Sequence, residues 1–222
     1  MQRKTLQRLS LLLASVLLAS CGPGSSPGAR LELSVASDNR DVIRYVQRIL
    51  YARLSDASGG MLSDVRTSYF EDSEKLVFDI MHSAPDAGGR RYLYETKGDY
   101  RVSATGSDGQ PVDWITNGDI LSVSGGRSKS EGRVFVRLKG DAAERVGEVS
   151  WENVGEIIKT SLDGELIHEA EVTWRMGAYY SFDVNSIDEA KWMAAILRYP
   201  TLPADVQPFD ADRPVMELKA AP

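Results

Sequence analysis

Few side chains in this sequence are equipped for chemistry. Cys21 is the only cysteine, a lone thiol that leaves no disulfide to be made within the chain. His82 and His168 are the only histidines. They fall in different strand-like runs, so no Cys/His cluster can ligate a metal or activate a nucleophile, and both read as strand histidines. Glu165, Glu169 and Glu171 stand close to His168. At a strand's period of two they share a face and make an acidic stripe, read as a solvated sheet face before a cation site. Ser124-Gly125-Gly126 lacks the strand-to-helix setting of a nucleophile elbow. Neither an EF-hand spacing nor a Gly-rich phosphate loop occurs. The expectation is no catalytic residue, no metal, no cofactor and no enzyme activity. Trp174, Tyr179, Tyr180 and Phe182 read as core aromatics with part of the group exposed. Arg40, Arg44, Arg48 and Arg53 form a basic stripe, read as a solvated face, with anionic headgroups or an acidic partner as the alternative.

The N-terminus carries the clearest pattern. Arg3, Lys4 and Arg8 precede an apolar run, Leu9 to Leu18, broken only by Ser10 and Ser15, and the small Ala19-Ser20 then precede Cys21. A basic start, a short apolar run and small residues are the parts of an export signal. The run is short of the ~20 residues that a membrane-spanning helix needs. Leu18-Ala19-Ser20-Cys21 resembles the lipobox of bacterial lipoproteins. That resemblance implies removal of residues 1–20 as a signal peptide, acylation of the Cys21 thiol with palmitate-type chains, and a membrane anchor worth ~0.8 kcal/mol per buried CH₂. Gly22 rather than Asp follows the cysteine, which by likeness to enterobacterial sorting implies the outer membrane in a Gram-negative cell. The formal net charge is −6, and losing the three basic residues of the signal makes the rest more acidic still. Such a surface is a poor polyanion binder, so nucleic acid is excluded as a partner.

The elements behind this tail are short. Residues 21–30, rich in Gly, Pro and Ser, read as a lipidated tether. Leu31, Leu33 and Val35 alternate with polar residues as in a half-buried strand. Asn39 or Asp38 can cap the helix that follows, whose apolar stripe is Val42, Ile43, Val46, Ile49, Leu50 and Leu54. Residues 64–70 and 75–81 read as a hairpin, 84–89 as a loop, 91–96 as a short strand, and 100–105 with 111–115 as a second hairpin. Residues 125–132, polar and glycine-bearing, read as a mobile loop. Then come a strand at 133–139, a helix from Asp141 to about Val149, and two strands joined by Asp163-Gly164, a pair suited to a tight turn. A strand at 179–184 follows. Ser186-Ile187-Asp188-Glu189 matches a capping box that opens a helix with Ile187, Ala190, Met193, Ala194 and Leu197 inward, ended by Pro200 and Pro203. The pattern is α+β, with small, mainly antiparallel sheets and helices packed on one face.

In order and spacing these pieces resemble the first periplasmic region of the SecD protein-export family, most densely over residues 133–203. The residues that carry the likeness are Leu162-Asp163-Gly164, Ser186 with Glu189-Ala190, Ala195-Ile196-Leu197, Leu202-Pro203 and, upstream, Asn117-Gly118-Asp119-Ile120. Glu169-Ala170-Glu171 stands where the family has Ala-Pro, and Phe182 where it has glycine. The resemblance implies a ferredoxin-like base portion at 31–98, a SecD-head-like portion at 99–203 and a loose tail at 204–222. It also implies a module that holds unfolded or exported polypeptide, or an envelope protein partner. SecD's transmembrane helices and intramembrane charges have no counterpart here, so proton-driven translocation does not carry over. The expected function is that of a lipid-anchored binding module with its body in the periplasm. The alternative is an envelope hydrolase acting on peptide or glycan, which requires two carboxylates facing each other across a cleft.

Overall fold

A computed structural model describes residues 29–58, 65–71, 74–81, 84–106, 108–128 and 131–209. The expected signal peptide, Cys21, most of the expected tether, His82 and residues 210–222 lie outside the described residues.

The first sheet has the order β11-β1-β3-β2, from β1 (Ala29–Val35), β2 (Val65–Phe70), β3 (Lys75–Ile80) and β11 (Val206–Pro208), all antiparallel. Ala29 and Arg30, expected in the tether, already belong to β1. Helix α1 (Arg40–Ala57) starts where Asn39 Oδ1 accepts from the amides of Asp41 and Val42. It lays Ile43, Val46, Leu50 and Leu54 on this sheet. Each such side chain contributes ~1.5–3 kcal/mol before entropy is counted. The expected tail strand-end behaves differently from its composition. Ala36 donates to the Asp205 carbonyl and Phe209 to that of Glu32, so residues 206–208 close the sheet as β11.

Two further corrections come from glycines. Residues 91–96 are not a strand: α2 spans Ala87–Glu95, opened by Asp86, whose carboxylate accepts from the Gly89 amide at 2.7 Å. Gly88 and Gly89 depress helix propensity, and Tyr92-Leu93-Tyr94 mimics strand alternation. Tertiary packing decides, because a Cβ on Gly89 would collide with the Trp192 ring. Residues 125–128 and 131–132, expected in a mobile loop, are strand instead. They belong to β6 (Ile120–Ser128) and β7 (Glu131–Leu138), which pair antiparallel and form, with β10 (Tyr179–Val184), the second sheet in the order β10-β7-β6.

Helix α4 (Ile187–Arg198) is the centre of the molecule. It packs on all three strands of the second sheet and, on its other side, on α1 and α2. Its cap is as the sequence predicts, with Ser186 accepting from the Glu189 amide, although Glu189 reaches back to the amide of Asn185 rather than that of Ser186.

The third sheet, β5-β4-β8-β9, joins β4 (Tyr100–Thr105), β5 (Pro111–Thr116), β8 (Ile157–Leu162) and β9 (Glu165–Glu171). Helix α3 (Gly140–Glu152) lies against β5. One continuous apolar cluster runs through all three sheets. The architecture is α+β, with small antiparallel sheets and four helices. No helix among the described residues is long and apolar enough to cross a membrane.

Phe182, at the position of the expected family glycine, is part of that cluster. Its ring lies 6.2 Å from Tyr100, 6.1 Å from His168 and 5.9 Å from Tyr180. Tyr180 shares a 2.5 Å hydrogen bond with Thr160. The Tyr100 hydroxyl has no partner although the residue is fully buried, and burial pushes its pKa well above the ordinary value. Tyr100→Phe is therefore expected to stabilise the protein by about 1 kcal/mol at neutral pH, because it removes an unsatisfied buried hydroxyl. The same variant should resist alkali better. Above pH ~10 the unfolded chain loses the phenol proton while the folded chain keeps it, so the folded state binds more protons and wild-type stability falls as pH rises. Urea titrations at neutral and alkaline pH check both signs.

Candidate functional site

Segment 96–100, which leads from α2 into β4, is tied from every side. Asp163, at φ 54° in the β8–β9 turn, accepts from the amides of Lys97, Gly98 and Asp99 at 2.7, 2.9 and 2.7 Å. Asn117 receives the Tyr100 amide and donates to the Gly98 carbonyl. Arg53 Nη1 donates to the carbonyls of Leu93 and Thr96, and Nη2 to that of Lys97. Arg53 thus leaves the expected solvated stripe. It is fully buried, and burial lowers its pKa to about 10, an effect only partly opposed by the charge of Asp163. Arg40, Arg44 and Arg48 are exposed. Asp163, read in the sequence as a turn residue, and Asn117, read there only as part of the Asn117-Gly118-Asp119-Ile120 likeness, are the fasteners of this joint.

Beside the joint, two adjoining hollows of about 400 and 430 Å³ make one groove. They share Ile167 and Glu189. One wall is β9 and the other is the end of β10, each the outermost strand of its sheet. Its apolar lining is Leu162, Leu166, Ile167, Val184 and Tyr92. Its acidic lining is Glu95, Glu131, Asp163, Glu165, Asp183 and Glu189, and no lysine or arginine lines either hollow. Asp183 is held by Arg133 at 2.6 Å. The negative potential is felt by Tyr92, whose hydroxyl is raised in pKa by burial first and then by Glu189, Asp163 and Glu165.

The acidic stripe differs from the expectation. A bulge shifts the β8–β9 register, so that Thr160 faces His168 while Ser161 faces Leu166. One extra residue reverses strand parity. Glu169 and Glu171 keep one face, Glu169 beside Lys159 at 3.7 Å, and Glu165 is separated from them at the groove. The same bulge brings Leu166, which is 55% exposed, and Ile167 together as groove lining. Alternation cannot reveal a bulge, so the sequence hid this feature. His168 is half-buried against Phe182, and Ser124 lies within β6. Among the described residues no three His, Cys, Asp or Glu side chains are placed to hold a metal ion. Of the four aromatics, Tyr180 and Phe182 are core, whereas Trp174 and Tyr179 are exposed.

Two solved structures share this fold. One, reported as the structure and function of a membrane component SecDF that enhances protein export, superposes with a TM-score of 0.60 at 14% identity, over 84% of this chain and 100% of that one. The other, SecDF in its super-membrane-facing form, gives a TM-score of 0.63 at 13% identity, over 82% of this chain and 29% of that one. This chain therefore spans less than a third of the latter. The likeness is one of fold. No protein-family model matches the sequence, and no curated protein matches it.

Proposed function

We propose that this protein is a lipid-anchored module of the bacterial cell envelope that holds unfolded or exported polypeptide, or an envelope partner, by contact and without catalysis. The observation that carries the reading is the groove: an apolar floor between two strand edges, in a fold shared with a component that enhances protein export. Extended chains are commonly received at exposed sheet edges flanked by side-chain pockets. The pattern ending in Cys21 supports the anchor and a periplasmic body. For the alternative hydrolase, an acid–base pair needs one carboxyl kept protonated by its surroundings. At the groove Glu165 is exposed, and Glu189 accepts from the Asn185 amide and side chain.

The test is binding of a permanently unfolded client, such as a reduced and carboxymethylated protein, to the full-length protein in detergent micelles. Retention of the unfolded but not the native client is expected. If the protein retains neither, and living-cell crosslinking finds no envelope partner, the reading is wrong. In the same cells, palmitate-analogue labelling should depend on Cys21 and vanish in Cys21→Ser.

A further inference from the structure

We infer that the groove between β9 and β10 selects extended polypeptide segments that carry positive charge, seating an apolar side chain on Leu166 and Ile167 between lysines or arginines that meet Glu131, Glu165 and Glu189. This deepens the proposed function and rests on it, since it names the class of segment that the groove takes.

Three observations converge. The groove has strand edges for both walls, so a main chain laid along it finds peptide groups that no strand among the described residues pairs. The bulge at Ile167 limits a regular ladder on β9 to a short register. Backbone pairing is therefore brief, and side-chain contacts decide which segments stay. Those contacts are of two kinds. Leu166 and Ile167 supply apolar surface, which any unfolded chain could use. The charged lining is of one sign only: Glu131, Glu165 and Glu189 are among the lining residues and no lysine or arginine is, although Arg133 holds Asp183 at the groove's edge. Glu165 and Glu189 lie near one spot, since both add to the burial that raises the pKa of the Tyr92 hydroxyl. A neutral or acidic segment entering here would strip water from carboxylates without replacing it, whereas a basic one supplies the missing counter-charge. The groove is therefore a filter for charge laid over a general affinity for extended apolar chain.

The test uses short fluorescent peptides of identical apolar residues, with lysine, glutamine or glutamate at the alternate positions. Binding to full-length protein in neutral-detergent micelles is followed by anisotropy at low and high salt. The lysine peptide should bind at least about ten-fold tighter than the glutamine peptide at low salt, with the glutamate peptide weakest, and salt should erase the ranking. Glu131→Gln/Glu165→Gln should lower the preference and Glu131→Lys/Glu165→Lys should reverse it. Glu171→Lys, on the other face of β9, should leave it alone. Equal binding of the lysine and glutamine peptides, or a preference that survives charge reversal in protein that melts like wild type, overturns the inference. Should the unfolded client still be retained in that case, the broader reading stands without the charge filter. Loss of client binding as well would sink both.

Discussion

Gly125→Ala is expected to cost about 3 kcal/mol or more and to lift α4 from the second sheet. Gly126→Ala, one residue along the same strand, should change stability by less than about 0.5 kcal/mol. The contrast follows from which face each residue takes. A Cβ on Gly125 would come closer than 3 Å to the Ala190 carbonyl and the Lys191 amide, which are backbone atoms of α4 and cannot swing aside. A Cβ on Gly126 would point to the open face and meet only the Phe135 ring, at 3.5 Å. Gly132→Ala should behave like Gly125→Ala, because there the Cβ would strike the carbonyl of Ser186, the cap residue of α4. Since α4 also packs on α1 and α2, the loss should spread to the first sheet and appear as lower cooperativity in urea unfolding. Glycine within a strand marks close backbone approach. If Gly125→Ala melts with wild type, α4 does not sit on this sheet as described.

Those glycines also show where the sequence was legible and where it was not. Apolar periodicity located α1 and α4, alternation located β4, β7 and β10, and Asp163-Gly164 located its turn, because in each case the local preference and the tertiary role agree. Gly125 and Gly132 misled because glycine that disfavours a strand locally is the same glycine that lets a helix touch it. Gly89 misled in the same way on α2, where Trp192 needs the room. Residues 206–208 gave too short a signal to read, and their strand exists because β1 offers a free edge. Of the groove, the carboxylates were visible as Glu165 near His168, but their arrangement was not. It depends on a bulge at Ile167 and on bringing Glu131, Glu165 and Glu189 together from three separate elements, which no local pattern encodes.

Arg53 was legible and passed over: it stands three residues after Leu50 and four after Ile49, within the apolar stripe of α1. Arg53→Met, which keeps the length and drops the charge, is expected to cost about 3 kcal/mol. Two effects oppose each other. Burial penalises the cation, and the fall from its ordinary value to about 10 corresponds to about 3 kcal/mol, which methionine would recover. Against this stand three donations to carbonyls of Leu93, Thr96 and Lys97, each worth ~1.5–3 kcal/mol to a charged donor, with the orphaned carbonyls left inside. The hydrogen bonds prevail. Lysine cannot replace the fork, so Arg53→Lys should lose most of the same stability. The alkaline signature tests the burial of the cation. Between about pH 10 and 12.5 the unfolded chain holds the Arg53 proton and the folded chain releases it, so this residue's contribution rises with pH. The stability gap between wild type and Arg53→Met should therefore widen above pH 10, even as both lose stability through their tyrosines. Asp163→Ala frees the amides of 97–99 on the same segment, so the two substitutions should be non-additive when combined. A gap that stays flat with pH would mean that the cation is not penalised by burial, and costs that simply add would mean that Arg53 is filler in the core rather than the bolt that fixes α2 and β4 to α1.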